Sequence, residues 1–351
     1  MQKAAKGHRY GFTLVELLIA IAIIGLLMAI AVPTAYTAYK RAKIGAMKME
    51  VTNLTMAIEK YKQTYGDYPP DGSDGGLMRR HVNKAFPRII AEEFDIFNAA
   101  VRSVPGLQVL DPAESLVFFL GGFSSDPQRP FSGTGGPLKV ISRPTVGNPN
   151  WVIEYNLDRS NALFEFDPTR LTIVQETAGG LVRTLSNDEE INGGQAGLRD
   201  CMPVYRPKGL LTPFVYFDSR TYGPSSGVGY TKYFGANVRG VARPYKSEKI
   251  RGNSATPPTD PILYDRYYRY QNETTFQVVT AGLDDSFGGV AGASAGAEVL
   301  FAFPSGIGLH PDGGIAGTFS RYASAQNPAA RDQLDNITNF SESTLEDGLP
   351  N

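Results

Sequence analysis

The chain has 351 residues, 34 of them basic and 35 acidic, for a net charge of −1. That length supports a sizeable core, and the even balance excludes the basic excess of a nucleic-acid binder, so no nucleic-acid partner is expected. The single cysteine, Cys201, excludes an intrachain disulfide, while 38 Gly, 24 Pro, 19 Phe and 18 Tyr predict a loop-rich, strand-containing body.

The first predicted element is a membrane-spanning helix. Residues 12–32 carry one charge, Glu16, in 21 positions. At about 1.5 Å per residue they make roughly 30 Å of helix, the thickness of a hydrocarbon core. A secretory signal would place its small-residue cut site after the apolar run. Here the small residue, Gly11, comes before it, behind Lys3, Lys6 and Arg9.

The stretch "GFTLVELLIAIAIIGLLMAIAVP" (11–33) resembles the class III signal of type IV pilins and of type II secretion pseudopilins. The resemblance implies that a prepilin peptidase cuts between Gly11 and Phe12 and methylates the new amine of Phe12. Glu16 then becomes the fifth mature residue, where the family carries a glutamate, and Gly25 and Pro33 also fall at family-like positions. Loss of residues 1–11 leaves 31 basic against 35 acidic residues, a charge of −4. The resemblance, rather than the charges, places the body outside the cytoplasm. It implies a single-pass inner-membrane protein with a periplasmic body, drawn later into a filament.

A carboxylate in hydrocarbon costs about 2.5–3.5 kcal/mol, so Glu16 should have a partner. Two readings stand on the residues alone. Glu16 snorkels to the interface one turn away, or it meets the Phe12 ammonium of a neighbouring subunit and sets register in a filament. The resemblance implies the second.

Pro33 removes a backbone donor and should bend or loosen the helix. Beyond it, Ile44, Met47, Val51, Leu54, Ile58, Tyr61 and Tyr65 recur at intervals of 3 and 4, one apolar stripe of a helix packed on its own body. Gly66 and Pro69-Pro70 end that helix. Residues 77–102 predict one or two helices broken near Pro87. "DPAESLVFFLGG" (111–122) predicts another, with Asp111 at its start and Gly121 at its stop. From Trp151 the pattern becomes strand-like: "WVIEYNL", "ALFEFD", "LTIVQE", "PFVYF", "TFQVVTAG" and "EVLFAFP". The division read from this order is a leader (1–11), a long helix (12–66, with 12–32 transmembrane), a helical and loop insertion (67–150) and a β-rich body (151–351). The fold class is α+β, a long helix packed on an antiparallel sheet, an enlarged pilin fold.

Catalytic chemistry is sought without result. His81 and His310 have no metal-ligand spacing, the Gly-rich loops lack the GK[ST] of a phosphate loop, and no nucleophile elbow occurs. One acidic pair remains. "VVTAGLDDSFG" (278–288) and "RDQLDNITNF" (331–340) resemble the C-terminal loops with which major pseudopilins bind calcium. The resemblance maps the ligands onto Asp284 and Asp335, with Asp285 and Asp332 nearby. Calcium takes six to eight oxygens from carboxylates and carbonyls on irregular backbone, which suits such loops. This sequence departs from the family by separating them with about forty residues. The expected function is a structural, non-enzymatic subunit of a type II secretion pseudopilus. The implied partners are copies of itself, related pseudopilins, the prepilin peptidase, an inner-membrane assembly platform and membrane lipid. A type IV pilin for adhesion, motility or DNA uptake is the alternative, and a bitopic periplasmic enzyme stands behind both.

Overall fold

The computed structural model describes residues 12–100, 110–147, 151–178, 181–186, 201–223, 233, 239–252, 267–288, 300–309, 315–318 and 332–350. A single helix, α1 (Leu14–Tyr65), dominates the N-terminal part. It runs through Pro33 as continuous helix. Beside the missing proline donor, the Thr34 hydroxyl donates to the carbonyls of Ile30 and Ala31, and Thr37 to those of Pro33 and Thr34. Gly66 closes α1 in the left-handed conformation (φ 81°), its N–H donating to Lys62 O at 2.8 Å.

The two halves of α1 differ in what surrounds them. Every residue from Phe12 to Arg41 is exposed. In the second half, Met47, Val51, Leu54, Ile58 and Tyr61 are buried, and Ile44 and Tyr65 pack at the edge of the same core. Each such side chain contributes about 1.5–3 kcal/mol on burial, so the stripe alone is enough to seat the helix.

Three shorter helices follow, α2 (Gly75–Ala85), α3 (Ala91–Ala100) and α4 (Glu114–Leu120). Asp74 caps α2 by accepting Leu77 N–H at 2.9 Å. The break near Pro87 lies between α2 and α3, while Val101 falls outside the described residues. Asp111 accepts the N–H groups of Ala113 and Glu114 at 2.7 Å each and orders the turn leading into α4.

The strands form four sheets. β1 (Leu138–Ser142) pairs with β2 (Val152–Tyr155), and β3 (Ile173–Ala178) with β4 (Leu181–Ser186). The sheet facing α1 has the order β12-β8-β5, from β5 (Val215–Asp218), β8 (Phe276–Thr280) and β12 (Ile337–Thr338). The fourth has five strands, ordered β11-β10-β9-β6-β7: β6 (Lys246–Ile250), β7 (Tyr268–Tyr270), β9 (Leu300–Phe303), β10 (Ile307–Leu309) and β11 (Ile315–Thr318). Among the described residues the strand pairs are antiparallel except β6 with β9, which run parallel. The architecture is α+β, a long helix against antiparallel sheets.

Two features depart from the sequence pattern. "ALFEFD" (162–167) is not a strand. Leu163 and Phe164 donate their N–H groups to Leu120 O at the end of α4, so this backbone caps a helix, and Phe164 and Phe166 pack on Tyr205. Secondly, β1 lies before residue 150 and pairs with β2 after it. One core joins α1, α2–α4, β2, β5 and β8 across that division.

Polar ties fix α1 to the body. Arg170 donates to Glu50 from both terminal guanidinium nitrogens, and Lys48 donates to the carbonyls of Thr338 and Ser341. Just past the helix, buried Asp71 accepts from Ser73, from Thr221 and from the Asp218 N–H of β5. Asp218 in turn is paired with Arg220, which also reaches Tyr68 O at 2.7 Å.

Candidate functional site

The N-terminal segment is built by a helix cap. Thr13 is extended (φ −82°, ψ 148°), and its hydroxyl accepts the Glu16 N–H at 3.2 Å. The Glu16 carboxylate reaches back, accepting from Thr13 N–H at 2.9 Å and Thr13 Oγ1–H at 2.8 Å. This reciprocal arrangement is a capping box, and "TLVE" is its S/T-x-x-E signature. Neither sequence reading of Glu16 included it. Both bonds fall on Oε2; among the described residues Oε1 accepts none. Phe12 stands immediately before this cap and is 84% exposed. Gly11, the other side of the expected cut, lies outside the described residues. Above the cap, the described residues hold one helix apolar and long enough to cross a membrane, Leu14–Tyr65, and none of its most apolar window is buried.

The acidic loops do come together. Asp335, just before β12, accepts the N–H groups of Leu283 and Asp284 on one oxygen, Oδ2, at 2.8 and 3.1 Å. Its other oxygen, Oδ1, is buried without a hydrogen-bond donor. Burial, and then the adjacent Asp284 charge, push the Asp335 carboxyl up to about 7. Burial, and then Asp332, push Asp284 up to about 6. The Asp284 charge thus opposes ionisation of Asp335. Gly282 makes the approach possible. Its φ is +52°, and a Cβ there would lie 2.2 Å from Asp335 O and 2.6 Å from Asp335 Oδ2.

The other two aspartates do not join the pair as ligands in view. Asp285, at φ 60°, turns to accept the N–H groups of Leu211 and Thr212. Asp332 acts on Asp284 through its charge. Among the described residues no three His, Cys, Asp or Glu side chains are grouped to hold one metal. Asn336, directly before Ile337, is a core residue donating to Tyr245 Oη at 2.8 Å and Phe287 O at 3.1 Å.

His81 is buried. Its Nε2 meets Tyr61 Oη at 2.8 Å, and its ring stacks on Tyr61 and meets Phe119 edge-on. His310 lies outside the described residues. Cys201 is buried, its thiol 3.6 Å from Ala100 O.

Comparison with known proteins covers a minority of the chain. The prokaryotic N-terminal methylation motif matches residues 6–32. Part of the chain is similar to type IV pilins. The chain is 34% identical over 67 residues to the type IV major pilin protein PilE of Neisseria gonorrhoeae, covering 19% of this chain and 40% of that protein. It is 33% identical over 67 residues to a fimbrial protein of Neisseria meningitidis serogroup A, covering 19% and 39%. The match thus spans about two fifths of the relatives' length. No solved structure matches the chain.

Proposed function

We propose that the chain is a filament subunit of a type II secretion pseudopilus, cut between Gly11 and Phe12, N-methylated at Phe12 and anchored in the inner membrane with its body in the periplasm. The observation that carries filament formation is the first half of α1: apolar, exposed from end to end, and bearing one charge. Lipid satisfies that surface in the unassembled subunit, and neighbouring copies satisfy it in a filament. The prepilin peptidase and an inner-membrane assembly platform are the partners this requires, and the role is structural rather than enzymatic. The Asp284–Asp335 pair supports the secretion reading, because calcium would sit between two acidic loops brought together and would engage the undonated Asp335 Oδ1. The printed names of the relatives, a major pilin and a fimbrial protein, favour a second reading, an adhesive or motility pilus.

Glu16 is assigned to assembly. Its Oε2 caps its own helix, leaving Oε1 for the Phe12 ammonium of a neighbour. Glu16→Gln tests this. The amide keeps one oxygen for the cap and inserts at lower cost than a carboxylate, so processing and membrane residence are retained. Filaments are lost, since breaking a buried pair costs about 3–5 kcal/mol. Normal filament counts by electron microscopy from a fully cut variant would remove Glu16 from assembly.

A further inference from the structure

Between the apolar span and the body, α1 carries a segment that neither half explains. No Asp or Glu occurs from Leu17 to Met49, yet Lys40, Arg41 and Lys43 stand together there, just after Tyr36 and Tyr39. Among the described residues none of these three cations meets a carboxylate: Glu50 is taken by Arg170, and Glu342 acts on Lys48. The two lysines instead lie over tyrosine rings one turn nearer the N-terminus. Lys40 Nζ is 4.7 Å from the Tyr36 centroid and Lys43 Nζ 5.3 Å from that of Tyr39. Both tyrosines are exposed, at 59% and 58%.

At about 100° per residue, Tyr36, Tyr39, Lys40 and Lys43 share one face about 100° wide. Met47, Leu54 and Tyr61 continue it into the body. The lysine pair therefore lies on the body's side of the helix, at its foot. Depth follows from the rise. Counted from Val32, Tyr36 is about 6 Å and Tyr39 about 10 Å beyond the hydrocarbon, close to a headgroup layer about 5–8 Å thick. Helical side chains lean toward the N-terminus, so each lysine returns its ammonium to the level of its tyrosine. Tyrosines at headgroup depth, with cations folded back onto them, form an interfacial anchor.

We propose that this face binds the phosphates of anionic phospholipid in the outer leaflet of the membrane the helix spans. The inference rests on the membrane-anchored reading and adds a lipid selectivity to it. Each ammonium keeps its donors free for phosphate oxygens, while the ring beneath it holds the cation in place. A net negative headgroup is selected over a zwitterionic one because nothing on this face repels it. Bound lipid would hold the foot of the body at a defined height before assembly.

The experiment carries the full chain in nanodiscs of equimolar phosphatidylglycerol and phosphatidylcholine and weighs the retained lipids by native mass spectrometry. Wild type is expected to retain phosphatidylglycerol preferentially, by about five-fold for each lysine engaged. K40Q/K43Q, which keeps the helix and both tyrosines, is expected to fall to near parity. K40R/K43R is expected to keep the preference. Equal retention by wild type, or an undiminished preference in K40Q/K43Q, overturns the proposal. So does a double variant that changes self-association and not lipid retention, which would assign the face to carboxylates on a second copy. A chain that does not enter the nanodiscs at all overturns the membrane anchorage itself, an outcome distinct from insertion without selectivity.

Discussion

Replacing His81 with Phe should exchange stability at neutral pH for stability in acid. His81 is 3% exposed, and its Nδ1 is buried without a hydrogen-bond partner. Burial, and then the Arg220 charge, lower its pKa from 6.5 to about 4. The unfolded chain therefore takes up a proton that the folded chain refuses, and stability falls as pH drops from about 6.5 to about 4. By about pH 4.5 the loss is roughly 2–3 kcal/mol, from about 1.4 kcal/mol per unit. Phe removes this titration and retains the stacking on Tyr61 and Phe119. It also leaves Tyr61 Oη without its partner at a cost of about 1–3 kcal/mol. His81→Phe should thus be the less stable protein at about pH 7.5. On going to about pH 4.5, the difference should move in its favour by about 2–3 kcal/mol. Asp218, which burial raises to about 6, titrates in the opposite sense but is common to both proteins and cancels in the difference. The assay is urea denaturation of the full chain in detergent, followed by near-ultraviolet circular dichroism at both pH values. A stability difference that does not change with pH would refute a neutral, desolvated His81.

Three further outcomes are expected. Gly11 replaced by a bulky residue should block cleavage, whereas mass spectrometry of the wild-type membrane form should find a mature N-terminus at Phe12 carrying one added methyl. Calcium should raise the melting temperature relative to chelator, since a ligand bound only by the native state stabilises it, and Asp335→Asn should abolish the difference; an unchanged melting temperature in wild type would remove the ion. Gly282→Ala should cost about 2–5 kcal/mol, from a left-handed conformation and a Cβ driven against the Asp335 backbone, whereas Gly45→Ala, inside α1 with nothing within 4 Å, should stabilise by about 0.5–1 kcal/mol by thermal melting.

What the sequence by itself determined is the part governed by neighbours along the chain. The α1 stripe from Met47 to Tyr61 repeats at the helical period, and Gly66 supplies the left-handed stop, so the helix, its buried face and its end are local properties. The capping box is local too: "TLVE" displays it, although the charge of Glu16 draws attention to hydrocarbon instead of to Thr13. Tertiary structure decided whatever depends on partners distant in sequence. "ALFEFD" alternates as a strand does, yet its backbone N–H groups go to Leu120 O, because the end of α4 was the nearer acceptor. Short strands such as β6, β7 and β12 carry too little pattern of their own and exist through the strands they pair with. His81 became a buried base because α2 docks on Tyr61, twenty residues away. Asp284 and Asp335 are 51 positions apart, and only the pairing of β8 with β12 carries one carboxyl to the other. A side chain's environment in this body is set by which strands close around it, a long-range choice that no local spacing records.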